Sequence, residues 1–314
     1  RGLVGSEMCI RDRPNTPLII TKIYPNSLML LFQTIKELRQ HLDNKHPQSI
    51  ALVPTMGNLH AGHLQLVKIA KTYADIVVVS IFVNPTQFGA NEDFGTYPRT
   101  LQADLTALDG LADIVFAPSV AEMYPTYPPA TTFVLGDISG ILCGKSRPTH
   151  FDGVALVVSK LFNIIRPNVA VFGKKDYQQL AIIRQINSEL NFDINIIGVD
   201  IVRADDGLAL SSRNQYLSTS ERALAPQLYA HLKQLATNIR AMDTANTVAI
   251  LALVEQTKAQ LNHIDGFNVD YLAIYNQDLS PISDTSCAMV IAAAVWVGQA
   301  RLLDNITVNI GEQS

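Results

Sequence analysis

The sequence predicts an α/β protein: a parallel sheet covered by helices, followed by a smaller α+β unit. Three observations predict it. Short runs rich in valine and isoleucine alternate with stretches of helical spacing over about 150 residues, a pattern that needs crossover connections and hence parallel strands. Those runs are apolar on both faces, as strands buried between two helical layers must be. After about residue 203 the alternation stops, and long helical stretches precede the last strand patterns. Residues 29–202 therefore read as a Rossmann-like domain and residues 203–314 as a smaller C-terminal α+β domain.

The elements follow in order. Residues 1–28 have no clear period and no apolar core of a signal peptide, so they read as an extra, non-native segment, with Met29 as the natural start. Thr34 and Glu37 form a capping box for a helix to Leu42. Ile50–Val53 is a strand, and a helix runs from Leu64 to about Tyr73. Asp75–Val83 is a strand buried on both faces, Leu101–Leu111 a helix and Asp113–Phe116 a short strand. Val154–Ile165 is helical up to Pro167, Val169–Phe172 a strand, Gln178–Leu190 a helix and Ile194–Val202 a last strand. Ser218 and Glu221 form a second capping box, opening a helix through Met242 with a kink at Pro226. A helix over Thr247–His263 and strands at Phe267–Ile274 and Ala288–Val297 complete the chain.

Composition narrows the function classes. With 314 residues, 48% hydrophobic and 17% charged, the chain is an ordinary globular one. A net charge of −4 supplies no global basic field for nucleic acid or a membrane surface. Apolar runs such as Ile76–Val83 fall well short of the roughly 20 residues of a membrane helix. Cys9, Cys143 and Cys287 form neither a zinc pattern nor a disulfide framework, which fits a reducing cytoplasm.

Candidate chemistry lies at the carboxyl ends of the strands, where open α/β sheets bind ligands. Val53 leads into Pro54-Thr55-Met56-Gly57-Asn58-Leu59-His60-Ala61-Gly62-His63, a strand-to-helix turn with two histidines three apart. A helix N-terminus attracts phosphate, and Gly57 and Gly62 leave the backbone approachable. Together they suggest a triphosphate site. A metal pair is the alternative, but zinc needs further ligands and none stands at ligand spacing nearby. Asn84 and Gln87 follow the next strand and suit a small polar substrate. Glu92–Arg99, with Asp104 beyond, reads as a loop carrying a carboxylate for Mg²⁺. Gly173-Lys174-Lys175-Asp176 opens a helix after a strand and suits phosphate capture, with Arg147 and His150 as additions. Arg203–Asn214 carries Ser211-Ser212-Arg213, hydroxyls and a guanidinium that can close over a triphosphate. Taken singly, each cluster reads as well as a solvated turn; only the set points to one site.

At this length the motifs carry a resemblance. Val53–His63, Val79-Ser80-Ile81-Phe82-Val83-Asn84-Pro85, Tyr97-Pro98-Arg99-Thr100, Phe172-Gly173, Lys175-Asp176 and Asp206–Asn214 are similar to the pantoate–β-alanine ligase family of the His-x-Gly-His nucleotidyltransferases, over about Met29 to Asn305. The resemblance implies that ATP and pantoate form pantoyl adenylate and pyrophosphate, and that β-alanine then displaces AMP to give pantothenate. It implies Mg²⁺, a C-terminal lid and a homodimer. Carried over, Met56, Gly57, Asn58, Leu59, His60, Ala61, Gly62 and His63 line the ATP site, with His63 as acid and His60 as its partner. Gly173, Lys174, Lys175, Asp176, Val202, Leu210, Ser211, Ser212 and Arg213 also contact ATP; Lys175 and Arg213 join the histidines as catalytic groups. Gln87 and Gln179 hold pantoate, Gln87 also approaches β-alanine, and Asp104 is a metal contact. Asn84, Tyr97, Arg147 and His150 are secondary members. Two positions depart from the family: Lys174 replaces the usual glutamate, and Cys143 stands where an acidic residue is common. A free imidazole has a pKa of about 6.5, so both charge states of the histidines are open at this stage.

Overall fold

The computed structural model describes residues 29–44, 48–89, 92–242, 246–284, 286 and 288–310. The segment 1–28, Cys9 and Cys287 lie outside them. Six strands, β1 (Leu30–Phe32), β2 (Ile50–Thr55), β3 (Ile76–Ile81), β4 (Ile114–Phe116), β5 (Val169–Gly173) and β6 (Asn195–Val199), form one parallel sheet. Their order is β1–β4–β3–β2–β5–β6. The chain leaves β2 toward β3 on one side and β5 toward β6 on the other. The crevice beyond the carboxyl ends of β2 and β5 is therefore a topological switch point, the place where such sheets bind ligands.

Period-2 alternation sorts the strand residues into two cores. Ile50, Leu52, Ile76 and Val78 pack toward α1 (Ile35–Asp43), α6 (His150–Ile165) and α7 (Tyr177–Glu189). Ala51, Val53, Val77 and Val79 pack toward α2 (Ala61–Ala70) and α3 (Leu101–Leu108). Two short helices, α4 (Val120–Met123) and α5 (Leu142–Ser146), lie between β4 and α6 in the chain. The second unit holds α8 (Thr219–Leu224), α9 (Gln227–Arg240) and α10 (Thr247–Asn262) against an antiparallel sheet of β7 (Phe267–Asn276), β8 (Ala288–Val297) and β9 (Ala300–Asn309).

Five features differ from the sequence expectation. Pro226 ends α8 and precedes α9, a full break rather than a kink, because it removes a backbone donor and its ring clashes one turn back. Helix α6 begins at His150, a turn before Val154, and includes Gly153. A Cβ on Gly153 would lie 2.2 Å from the Thr86 carbonyl oxygen, so glycine here marks close packing and not a helix end. The strand expected over Ile194–Val202 is the shorter β6. Strands β1 and β9 were not anticipated. β1 has three residues, too few to show a period. β9 carries Asp304 and Asn305 mid-strand, which breaks the apolar alternation; both are buried by partners from distant segments.

Candidate active site

The floor of the cleft is the turn after β2. The chain enters the left-handed region at Gly57 (φ +83°) and Asn58 (φ +53°) before His60 caps α2. Asp104 of α3, 2% exposed, holds the turn. Its oxygens accept from the backbone N–H of Asn58 (3.1 Å) and Leu59 (2.8 Å) and from the Thr100 hydroxyl (3.1 Å). A Cβ on Gly57 would stand 3.0 Å from Asp104 Oδ2 and 3.1 Å from Ile81 Cγ2. Positive φ and lack of space together demand glycine.

The two histidines cap their own helix. His60 Nδ1 accepts from the Gly62 N–H at 3.1 Å, and His63 Nδ1 accepts from the His60 N–H at 3.3 Å. The rings lie 4.1 Å apart, centre to centre. Since each Nδ1 is an acceptor, each proton sits on Nε2. Burial, then the positive charge of Lys175, lowers the His60 pKa to about 4. Burial, then His60 and Lys175, lowers that of His63 to about 3. At neutral pH both rings are therefore uncharged Nε2–H donors, which narrows the two charge states the sequence leaves open to one.

The opposite wall comes from the other end of the chain. The loop from Arg203 to Arg213 folds back on itself through an Arg203–Ala209 bridge. Arg203 forks onto Asp304 of β9 at 2.6 and 2.7 Å, donates to the Gly207 carbonyl at 3.0 Å, and stacks 3.5 Å from the Tyr229 ring centre. The next residue, Asn305, donates through Nδ2 to the carbonyls of Lys174 (2.8 Å) and Lys175 (3.0 Å). One strand thus fixes both the Ser211–Arg213 strap and the lysine turn. Arg213 reaches Asp93 at 3.2 Å, and Lys175 lies 3.7 Å from Asp176. Burial pushes the Asp176 carboxyl up, but Lys175, Arg213 and the neighbouring histidines outweigh it and hold the group below its usual range. Tyr97 is buried; burial raises its hydroxyl pKa, and a hydrogen bond to Ser212 opposes that rise.

A third wall carries neutral polar groups. Buried Asn84 donates to Gln87 Oε1 and the Gly153 carbonyl, each at 3.1 Å, and accepts from the Tyr124 hydroxyl at 2.9 Å. Gln87 Nε2 points at Met56 Sδ, 3.1 Å away. His150 donates from Nδ1 to the Gln87 carbonyl at 2.8 Å and accepts on Nε2 from Arg147 at 3.1 Å. Burial, then Arg147, lowers the His150 pKa to about 4. Arg147 is itself forked onto Glu92.

All three walls enclose one cavity of about 800 Å³. Met56, His60, Gly62, His63, Gln87, Gly173, Lys175, Asp176, Gln179, Val202, Leu210, Ser211, Ser212 and Arg213 line it, as do Asn84, Tyr97, Arg147 and His150. Gly57, Asn58, Leu59 and Ala61 do not; they shape the turn behind it. Lys174 itself does not line it, but its ammonium pairs at 2.6 Å with Asp200, which does, so its extra charge is met by a carboxylate of the cavity. Asp104, expected as a metal contact, lies outside the lining with both oxygens engaged, and metal binding would require it to release the turn. Among the described residues no group of three or more His, Cys, Asp or Glu side chains could hold a metal ion. Asp304 and Asn305, and the part Arg203 plays with them, were missed from the sequence because their partners are more than a hundred residues away or reached only through backbone carbonyls.

Neutral imidazole donors at a helix N-terminus, opposite two cations and a hydroxyl-bearing strap beyond a parallel sheet, define the class: an α/β enzyme that activates a small substrate with a nucleotide. Residues 30–307 match the family model for pantoate–β-alanine ligase. A pantothenate synthetase from Psychrobacter sp. (strain PRwf-1) is 58% identical over 289 residues, covering 90% of this chain and all of the relative. The crystal structure of the Thermus thermophilus pantothenate synthetase superposes with a TM-score of 0.79 at 41% identity, covering 88% of this chain and 98% of that one. A Francisella tularensis pantoate–β-alanine ligase, crystallised with a β,γ-ATP compound and β-alanine, gives 0.72 at 34% identity over 91% and 99%. The chain belongs to the pantoate–β-alanine ligase family and is a ligase.

Proposed function

We propose that this cleft joins pantoate to β-alanine in two steps. A pantoate carboxylate oxygen attacks the α-phosphorus of ATP, the bond to the β-phosphate oxygen breaks, and pyrophosphate leaves. The β-alanine amine then attacks the acyl carbon of pantoyl adenylate, the C–O bond to AMP breaks, and the amine proton passes to solvent. The observation that carries this reading is the single cavity shared by His60, His63, Lys175 and the Ser211–Arg213 strap. Had the imidazoles and the strap faced separate cavities, one triphosphate could not touch both.

The chemistry asks for in-line placement and for charge on the phosphoryl oxygens to be met. The Nε2–H groups of His60 and His63 donate hydrogen bonds there, and Lys175 and Arg213 supply positive charge. A triphosphate competes with Asp93 for Arg213, so the strap is drawn toward the nucleotide as it binds. His63, neutral by its low pKa, serves as a donor rather than as a charged acid. Gln87 and Gln179 hold pantoate, and Gln87 also meets β-alanine. Mg²⁺ bound with a triphosphate keeps several waters and needs only one or two protein carboxylates. Asp176 fits: its carboxylate opens into the cavity beside Lys175. When bound, the ion neutralises phosphate charge. The reading extends to a cytoplasmic homodimer with no nucleic-acid or membrane partner. No described helix is long and apolar enough to cross a membrane.

The test is AMP release with each substrate omitted in turn, together with ATP–pyrophosphate exchange. Exchange that requires pantoate, and AMP release that requires both acids, supports the reading. Exchange indifferent to pantoate assigns the cleft to another nucleotidyl transfer.

A further inference from the structure

We infer that Asp270 of β7 is a positioning residue for the carboxylic-acid substrate: through Ser146 it seats α5, the short helix that delivers Arg147 to the cleft wall. The inference rests on the ligase reading above.

Helix α5 has five residues, too few to hold its shape alone. Gln178 of α7 anchors its start, accepting from the Cys143 N–H at 3.0 Å and donating to the carbonyls of Ile138 and Ile141, each at 2.8 Å. The C-terminal unit anchors its end. Ser146 donates to Asp270 Oδ2 at 3.0 Å, and Cys143 Sγ lies 3.1 Å from the Tyr271 hydroxyl. Asp270 in turn is forked by Arg301 of β9, at 3.0 Å from Nε and 2.6 Å from Nη2. Asp270 thus joins an ion pair inside the second sheet to a helix of the first domain, and Arg301 backs the joint with longer contacts of its own to Ser146 Oγ (3.5 Å) and Cys143 Sγ (3.4 Å).

The residue after Ser146 is Arg147, which holds Glu92, His150 and, at 3.4 Å, the Gln87 carbonyl. Seating the second sheet therefore sets Arg147 and, through His150, the backbone of Gln87. Ser146, Arg147, Asp270 and Arg301 all line the same cavity. The histidine floor and the lysine turn have separate supports, Asp104 and Asn305, and do not depend on this joint. Asp270 should consequently act on the acid substrate and not on the nucleotide.

The experiment compares the full chain with Asp270→Asn, Ser146→Ala and Ser146→Thr, measuring KM for pantoate and for ATP separately. Asp270→Asn and Ser146→Ala should raise the pantoate KM about fivefold or more while the ATP KM stays within about twofold. Ser146→Thr keeps the hydroxyl and should restore the wild-type pantoate KM. The chain's one tryptophan, Trp296, sits opposite Arg301 in the sheet, so its emission reports whether the second unit is folded in each variant. A pantoate KM unchanged in Ser146→Ala, or pantoate and ATP KM rising together, overturns the proposal. So does Ser146→Thr behaving like Ser146→Ala. Wild-type AMP release in the same series tests the ligase reading: a wild type indifferent to pantoate removes both, whereas an active wild type with unaffected variants removes the positioning role alone.

Discussion

The floor and the strap of the cleft are built by opposite means. The floor is local: His60 and His63 lie within one helical turn and cap each other's backbone, and Gly57 between strand and helix follows from φ and space. The strap is non-local: Arg203 meets Asp304 across 101 residues of chain, and Asn305 reaches back 131 residues to Lys174. A local motif announces its own geometry. A non-local one exists only when two domains have already packed. Damage to the floor should therefore appear as lost chemistry, and damage to the strap's support as lost stability.

Asp304→Ala is the strongest way to break that contrast. It leaves Arg203 without its charged partner beside a site only 3% exposed, and removing one member of such a pair costs about 3–5 kcal/mol. The urea midpoint should fall accordingly; an unchanged midpoint would mean the strap holds itself. Lys175→Ala should fold normally and lose about 3 kcal/mol of transition-state stabilisation, roughly a hundredfold in kcat. Wild-type turnover in this variant would take Lys175 out of the mechanism. Gly62→Ala sharpens the contrast from the floor side. Its Cβ would stand 2.8 Å from His60 Cε1, so the ring must shift. Turnover should drop about tenfold with little change in melting temperature.

The last effect is confined to acid and is absent at neutral pH. His60, His63 and His150 are held below the ordinary imidazole value, so the folded chain keeps them neutral where the unfolded chain protonates them. Their stabilisation is complete above about pH 6.5 and is lost as pH falls toward about 4, and toward about 3 for His63. Stability should decline over that window, and His63→Gln should flatten the decline by about one proton's worth. An unaltered slope would show His63 already charged in the folded state.

Most of the first domain was legible because helices and buried strands carry their own periods. The histidine turn was legible because glycine and helix-capping rules act over a few residues. Lys175 and Arg213 could be singled out as cations near strand ends. The support for them could not. Asp304 and Asn305 look like interruptions of a strand until Arg203 and the lysine turn are seen beside them. Asp104 looked like a metal carboxylate because sequence names the group and not the two N–H donors that occupy it.

The alternation of strands and helices in the first domain, the histidine turn and the family are determined by the sequence alone, since each depends on neighbours along the chain or on motifs read directly. The tertiary structure decided the neutral Nε2–H form of both histidines, the pairing of Lys174 with Asp200 and the anchoring of the strap by β9. These depend on burial and on partners distant in sequence, and the field at a side chain is set by what surrounds it in space.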